Sequence, residues 1–306
     1  MSKVEIGEGS VHKSVLLNEV IEGLNFKAKS IFIDGTFGGG GHSSEICKKY
    51  PNVKILAIDQ DKNAWKKAQS KFKGLDCDIS FHNSNFRDLE KVLNTEKIEK
   101  VDGVLLDLGL SSDQLENSGR GFSFMKQEPL LMTMKENPKA EDLTAQDIVN
   151  TWSEENLADI IYGYGEERFS RRIAKGIVDA RQKVKIENTF QLVSIIEKSL
   201  PSIAKKGRIH PATKTFQALR IAVNDELNTL DMGMQKGFEV LKNGGRIAVI
   251  SFHSLEDRMV KRFFKVKVDN KEAIFVNKKP IIAGAEELKI NPRARSAKLR
   301  IIEKII

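Results

Sequence analysis

Cysteine is nearly absent: Cys47 and Cys77 are the only two in 306 residues, too few for a disulfide framework or a structural zinc site. They read as buried or incidental thiols of a reducing compartment. Long apolar runs are missing as well. No segment reaches the roughly 18 consecutive apolar residues of a membrane span, and the N-terminal stretch has no apolar signal core. A soluble, cytoplasmic protein without membrane contact is expected. The 5 histidines are scattered without ligand spacing, so no metal site is expected. What is present is a 40% apolar content, enough for a full core in one large domain or two modest ones, which argues against disorder.

Charge is plentiful and one-sided. The formal net charge is +8 with a pI near 9.2, a balance that favours a polyanionic partner. It is also localised. Residues 168–208 hold 11 Lys/Arg against 3 Asp/Glu, and residues 242–306 hold 16 against 7, so the remainder is acidic overall. The competing reading of each run is a solvated helix face.

The stretch that organises the chain is SIFIDGTFGGGGHSSEI, residues 30–46. It reads as a short apolar strand ending on Asp34, a run of glycines, and a helix opening at Ser43 or Ser44. Glycines at 35 and 38–41 let backbone approach a ligand where a Cβ would clash, and the first N–H groups of the helix face that ligand. Strand, glycine turn and helix make the first unit of a nucleotide-type fold. A GxGxxG-like spacing, with Asp59 about 20 residues further on, would also suit the dinucleotide site of a nicotinamide-dependent oxidoreductase. The carboxylate immediately before the glycines separates the two. An acidic strand tip suits a cofactor with a cationic amino-acid end, such as S-adenosylmethionine.

In chain order, residues 11–24 read as an amphipathic helix, with His12 touching substrate or capping the segment. A second strand, KILAID at 54–59, ends on Asp59, placed to accept two ribose hydroxyls. A brief third strand at 79–81 leads to Phe86, which lies against an adenine ring or in the core. VDGVLLD at 101–107 reads as a central parallel strand buried on both faces and ends on Asp107. Three strands ending in Asp form one constellation.

From about residue 116 the alternation stops and helices follow. Thr144 with Asp147 has the pattern of a capping box, Ser153 is a second N-cap, and further helices are expected from 166 to about 183 and from 189 to 200. Residues 116–212 therefore read as an all-helical domain inserted into an α/β domain made of residues 1–115 and 213–306. His210-Pro211 reads as a helix start and Asn243-Gly244-Gly245 as a helix stop. A strand at 246–252 returns to the sheet, and strands near 273–277 and 297–302 close it as an antiparallel edge pair. That is the usual layout of S-adenosylmethionine-dependent methyltransferases.

HKSVLLNEV, FIDGTFGGGGHS, LLDLGLSSDQL, RGFSF, YGEERFSRRIA, HPATKTFQALRI, ISFHSLEDR and NPRARSAKLR occur in this order. Together they closely resemble the bacterial small-subunit (16S) rRNA (cytosine-N4)-methyltransferase family over nearly the whole chain. The resemblance implies a class I, Rossmann-like α/β methyltransferase sheet. It implies methyl transfer from S-adenosylmethionine to the exocyclic amine of a cytidine in the decoding region. It places cofactor contacts on Gly40, Gly41, His42, Asp59, Phe86, Asp107 and Gln114, to which the strand-tip argument adds Asp34. One departure stands out. After RGFSF the family usually carries an acidic–Gly–Pro–Leu–Asp–Met–Arg–Met–Asp run, whereas here Leu131, Thr133 and Lys135 replace an Asp, the Arg and the final Asp. If those charges position RNA, substrate recognition differs here while cofactor binding does not. A non-catalytic rRNA-binding assembly factor of the same fold is the alternative.

A cytosine amine is a poor nucleophile, so an acceptor drawing on one N–H is expected. Asp107, Ser111 and Ser112 occupy the position of the (Asp/Asn/Ser)-Pro-Pro-aromatic motif of amino-methyltransferases, without its prolines and aromatic. His253, on the strand tip SFHS, is a further candidate, and the choice stays open. Phe122 or Phe124 either stacks a flipped base or anchors the insert. Arg168, Arg171, Arg172, Lys205, Lys206, Arg208, Arg293 and Arg295 are expected on phosphates, which orient RNA without reading its sequence. The target base is expected to be reachable only in a folded 30S subunit or precursor. Monomer or homodimer stays open.

Overall fold

The computed structural model describes residues 14–136, 138–202, 204 and 209–306. The first half alternates α1 (Leu17–Leu24), β1 (Ile31–Asp34), α2 (Gly41–Lys49), β2 (Val53–Asp59), α3 (Lys62–Ala68), β3 (Cys77–Asn83), α4 (Leu89–Glu96) and β4 (Val101–Asp107). A helical run follows: α5 (Ser112–Asn117), α6 (Ala145–Thr151), α7 (Glu154–Gly163), α8 (Ser170–Arg181), α9 (Thr189–Ser199), α10 (Thr213–Asn224) and α11 (Glu226–Glu239). The chain closes with β5 (Leu241–Ser251), α12 (Ser254–Asp269), β6 (Ala273–Phe275), α13 (Ala285–Ile290) and β7 (Lys298–Lys304).

The seven strands form one sheet in the order β3-β2-β1-β4-β5-β7-β6. The first five are parallel; β7 runs antiparallel to both β5 and β6. This is the expected α/β methyltransferase layout with its antiparallel edge pair. Side chains alternate between the faces with the period of 2 that a pleated strand imposes. Phe32, Ile55, Ala57, Leu105 and Ile250 enter the apolar layer beneath α1 and α2. Ile33, Leu56, Ile58, Leu106 and Val249 enter the layer on the other side. Burial on both faces explains why these strands read as continuous apolar runs.

Thr144 and Asp147 form the capping box of α6, and Ser153 caps α7, as their spacing predicts. The helical block has an apolar core of its own, with Ile148, Leu157, Ile161, Ile173, Ile177, Leu192 and Ile196. That core also takes in Phe216, Ala218 and Leu219 of α10, so it continues past the expected boundary at 212.

Several local expectations are corrected. α2 opens at Gly41, because Gly40 takes a left-handed turn (φ 67°) directly ahead of it. α8 starts at Ser170, since Glu166 is also left-handed (φ 50°) and interrupts the helix. Pro211 precedes α10 instead of opening it. Residues 243–245 do not stop a helix; they form a bulge in β5, where pairing with β4 shifts register between Val101 and Gly103. The two cysteines are not free thiols. Cys47 of α2 and Cys77 at the start of β3 form a disulfide across 30 residues, their Cα atoms 5.5 Å apart. Parallel pairing sets Cys77 opposite Val53 at the start of β2, just beyond the end of α2.

Candidate active site

The strand order reverses between β1 and β4, and a cavity opens there at the carboxyl ends of β1, β2 and β4. Its near wall is the loop at 35–40 and the first turn of α2. Main-chain bonds fix this loop: Gly35 N–H donates to Leu105 O (2.9 Å), Phe37 N–H to Ile58 O (3.0 Å) and Gly40 N–H to Phe37 O (2.8 Å). Lys71 reaches across to Gly39 O at 2.7 Å. Gly40 does not line the cavity. Its glycine is required from behind, where a Cβ would stand 2.6 Å from Phe37 Cζ. Gly41 lines the cavity, with Ser14 packed against its Cα.

The three strand-tip carboxylates divide the work. Asp34 is buried and does not line the cavity. Its Oδ2 accepts from the Ser43 hydroxyl at 2.6 Å and its Oδ1 from Thr36 N–H at 3.3 Å, so it fastens the loop to α2. That corrects its placement as a ligand contact: register sets Asp34 beside Ala57 and Leu105, two residues short of Asp59 and Asp107. Asp59 reaches the cavity and accepts from Gly38 N–H (2.7 Å) and Asp61 N–H (2.8 Å). Asp107 also faces the cavity. Its N–H donates to the Thr36 hydroxyl at 2.6 Å, while its buried Oδ1 has no hydrogen-bond partner among the described residues.

Burial pushes Asp34 and Asp59 up to about 6. It pushes Asp107 up to about 8, helped by the charges of Asp34 and Glu256. Carboxylates raised in this way gain from a cationic ligand, which restores their ionised form. The residues therefore fit a cofactor carrying positive charge, and the orphaned Asp107 Oδ1 marks where hydrogen-bonding capacity is left over.

His42 lines the cavity, its Nε2 donating to Val15 O (3.0 Å) and its Nδ1 3.8 Å from Asp107 Oδ2. Phe86 lines it too, with its ring lodged against Gly233 of α11, where a Cβ would meet Cδ2 at 2.4 Å. Gln114 faces the cavity while closing a capping box with Ser111: Gln114 N–H donates to Ser111 Oγ (3.1 Å) and Ser111 N–H to Gln114 Oε1 (3.0 Å). Ser111 is thus first a helix cap, a role its S-x-x-Q spacing already announces. Ser112 opens α5, and its side chain lies outside the described residues.

The far wall holds residues the sequence reading passed over. Glu226 is gripped by Arg220 through Nε–Oε1 and Nη2–Oε2 contacts, each 2.7 Å. Glu256 is buried and accepts from Phe252 N–H (2.8 Å) and His253 N–H (3.2 Å). His253 Nε2 lies 3.1 Å from Glu256 Oε1. Burial works against the Glu256 charge, but His253 and Arg220 hold its carboxyl below the ordinary range. His253 itself caps α12 and does not line the cavity; the members of SFHSLED that reach the site are Phe252 and Glu256. Ligand atoms of Glu226, His253 and Glu256 lie within 4.8 Å of one another. Arg220 already supplies the positive charge there and takes both Glu226 oxygens, which makes this an ion-pair network.

The altered stretch at 131–135 sits on the cavity rim. Arg120 Nη1 donates to the carbonyls of Thr133 (3.2 Å), Met134 (3.1 Å) and Lys135 (2.9 Å). Asn224 accepts from Met134 N–H (2.7 Å) and donates to Met132 O (2.8 Å). These are main-chain contacts that any side chain permits. Lys135 turns to Asp142.

Both phenylalanines pack in the helical block. Phe122 is 6% exposed in the helical core, with Arg120 5.5 Å from its ring. Phe124 stacks on His210 (4.5 Å) and meets Phe216 edge-on (5.6 Å). Arg168, Arg171 and Arg172 are exposed on and beside α8, away from the cavity, and Arg295 is exposed near β7. Arg293 lines the cavity mouth and pairs with Glu116. Lys205, Lys206, Arg208 and His12 lie outside the described residues. Among the described residues no helix is long and apolar enough to cross a membrane.

The MraW methylase family model matches residues 9–305. A ribosomal RNA small subunit methyltransferase H from Ruminiclostridium cellulolyticum is 44% identical over 315 aligned residues, covering 96% of this chain and 99% of its own. Proteins of the same name from Acetivibrio thermocellus and Clostridioides difficile are 46% and 43% identical at the same coverage. The oxidoreductase reading of the glycine run falls away with these matches. With similarity extending from the glycine loop through the helical block to the closing strands, the chain belongs to the MraW methylase family.

Proposed function

We propose that this protein transfers a methyl group from S-adenosylmethionine to the N4 amine of a cytidine in the decoding region of small-subunit rRNA. The observation that carries the reading is the buried Oδ1 of Asp107, without a hydrogen-bond partner among the described residues and set at a strand tip beside the glycine loop. The cofactor, when bound, supplies an electrophilic methyl on a sulfonium. Gly41, His42, Asp59, Phe86 and Gln114 hold it: Asp59 takes the ribose hydroxyls and Phe86 gives an apolar wall for the adenine.

The remaining work belongs to the protein. Asp107 accepts an N–H of the cytosine amine, and with a carboxyl near 8 it is suited to take the proton that the amine sheds. Ser111 and His253 are occupied as helix caps and serve the site by fixing Gln114 and Glu256. The helical block at 116–212 orients RNA through the basic face of α8. The substrate is the folded subunit in the cytoplasm; a short oligonucleotide methylated efficiently would refute that part.

The test is methyl incorporation from labelled cofactor into small subunits lacking the modification, followed by nucleoside mass spectrometry. N4-methylcytidine that disappears with Asp107→Ala supports the reading. Cofactor binding without product from the wild-type protein overturns it in favour of an assembly role.

A further inference from the structure

α12 carries Arg258, Lys261, Arg262 and Lys265 on one exposed stripe, at the i, i+3, i+4, i+7 spacing of a single helix face. Its other face is committed, with Val260 and Phe264 buried under the sheet. Arg171, Arg172 and Lys175 are exposed on α8, and Arg168, also exposed, precedes that helix. Arg258 pairs with Glu166 at 2.9 Å and Lys265 with Asp269 at 2.6 Å. Among the described residues, no carboxylate lies within ion-pair distance of Lys261, Arg262, Arg171, Arg172 or Lys175.

Two features set this apart from an ordinary solvated face. Like charges at i and i+4 repel on a solvated helix; each stripe nevertheless sets basic residues one turn apart, Arg258 with Arg262 and Lys261 with Lys265 in α12 and Arg171 with Lys175 in α8, before an acidic residue follows at Asp269 and Asp179. The segment just ahead of α8 also touches the start of α12. Glu166, just ahead of α8, accepts from the hydroxyl of Ser254, the first residue of α12, as well as from Arg258. Directly beside that junction, Phe252 and Glu256 line the cavity. Tyr162, 67% exposed four residues before Glu166, offers a ring for base stacking close by in the chain.

We propose that α12 is a second RNA-binding face, whose stripe takes the phosphates of the strand on one side of the target nucleotide while α8 takes the other. The proposal rests on the rRNA reading above. Glu166 links the start of α12 to the segment ahead of α8 through Ser254 and Arg258.

The experiment compares full-length Lys261→Glu/Arg262→Glu with Arg171→Glu/Arg172→Glu. The control is Lys27→Glu/Lys29→Glu, exposed ahead of β1 at the opposite end of the sheet. KM and kcat for unmodified small subunits are measured at several salt concentrations, and S-adenosylhomocysteine affinity by calorimetry. The α12 pair is expected to raise KM by roughly tenfold or more, with kcat and S-adenosylhomocysteine affinity unchanged. It should flatten the salt dependence by about 1.5 in log–log slope, as loss of two phosphate contacts requires. Lys261→Gln/Arg262→Gln, which relieves repulsion within α12, should show the same KM trend and excludes misfolding as its cause. A KM and salt slope equal to those of the control overturn the proposal. If the α8 pair alone weakens KM, the rRNA reading survives and only the α12 face is lost. A wild-type protein that neither binds nor methylates small subunits overturns both.

Discussion

Arg120 and Asp61 form a buried ion pair, 2.9 Å from Nη2 to Oδ2, that ties the helical block to the tip of β2. The same guanidinium holds three carbonyls of the 133–135 segment, and Asp61 N–H holds Asp59. One side chain thus couples the insert to the cofactor wall. Arg120→Ala removes the buried counter-charge and strips those carbonyls, so a loss of about 3–5 kcal/mol in urea unfolding is expected, with weaker S-adenosylhomocysteine binding. Arg120→Lys should recover only part, because an ammonium cannot serve a carboxylate and three carbonyls together. In a double-mutant cycle, Asp61→Asn with Arg120→Ala should cost less than the two single changes added.

Gly40 combines a left-handed φ of 67° with a packed rear side, where Phe37 Cζ and Phe72 Cε2 would lie 2.6 and 3.1 Å from a new Cβ. Gly40→Ala forces Phe37 to move, and Phe37 N–H is bonded to Ile58 at the tip of β2. Cofactor affinity should fall by roughly tenfold or more, with about 2–3 kcal/mol of stability lost. Gly74→Ala isolates the backbone contribution: φ is 78°, and among the described residues nothing lies within 4 Å of a new Cβ. It should cost only about 1–2 kcal/mol and leave affinity unchanged. Equal effects of the two changes on binding would refute the packing argument.

The Cys47–Cys77 disulfide closes a loop across 30 residues that includes β2. Constraining the unfolded chain over that length contributes about 3–4 kcal/mol in the chain-entropy treatment. Dithiothreitol should therefore lower the thermal midpoint of the wild-type protein. Cys77→Ala should start lower and not respond to the reductant. A wild-type midpoint indifferent to reductant would show that the bond does not form in solution.

The sheet and its three acidic tips were legible because each strand is a short, continuous apolar run that stops at an Asp, and burial on both faces demands that composition. What pairing decides was not legible. Whether a tip reaches the cavity depends on register, which places Asp34 two residues behind Asp59 and Asp107. The Cys47–Cys77 bond depends on which strand start lies beside the end of α2. Nothing in the sequence marks Glu226, because the closing of Arg220, six residues earlier, onto its carboxylate is decided by how α10 turns into α11. In SFHSLED the histidine attracted the chemical reading, while the fold uses it as a cap and brings Glu256 to the cavity. Phe122 and Phe124 were ambiguous for a simple reason: an aromatic that anchors an insert and one that stacks a base have the same composition, and only packing separates them.

Asp107 makes both stability and ligand binding depend on pH. Burial, then the charges of Asp34 and Glu256, push its carboxyl from 3.8 up to about 8. Between roughly pH 4 and 8 the folded protein therefore keeps a proton that the unfolded chain has released, and ligand-free stability falls as pH rises through that window. Asp34 and Asp59 act in the same direction only up to about 6. The Asp107 contribution is isolated between pH 6 and 8, where Asp107→Asn should gain steadily on the wild type in thermal midpoint. Binding has the opposite slope. A cation that engages ionised Asp107 must displace its proton, so S-adenosylmethionine affinity should strengthen toward pH 8 by up to roughly tenfold per unit. Calorimetry in buffers of differing ionisation enthalpy should register the released proton. S-adenosylhomocysteine lacks the sulfonium charge and should show a shallower slope. Parallel slopes for the two ligands would mean that Asp107 does not face the sulfonium, and its role would then lie with the acceptor amine alone.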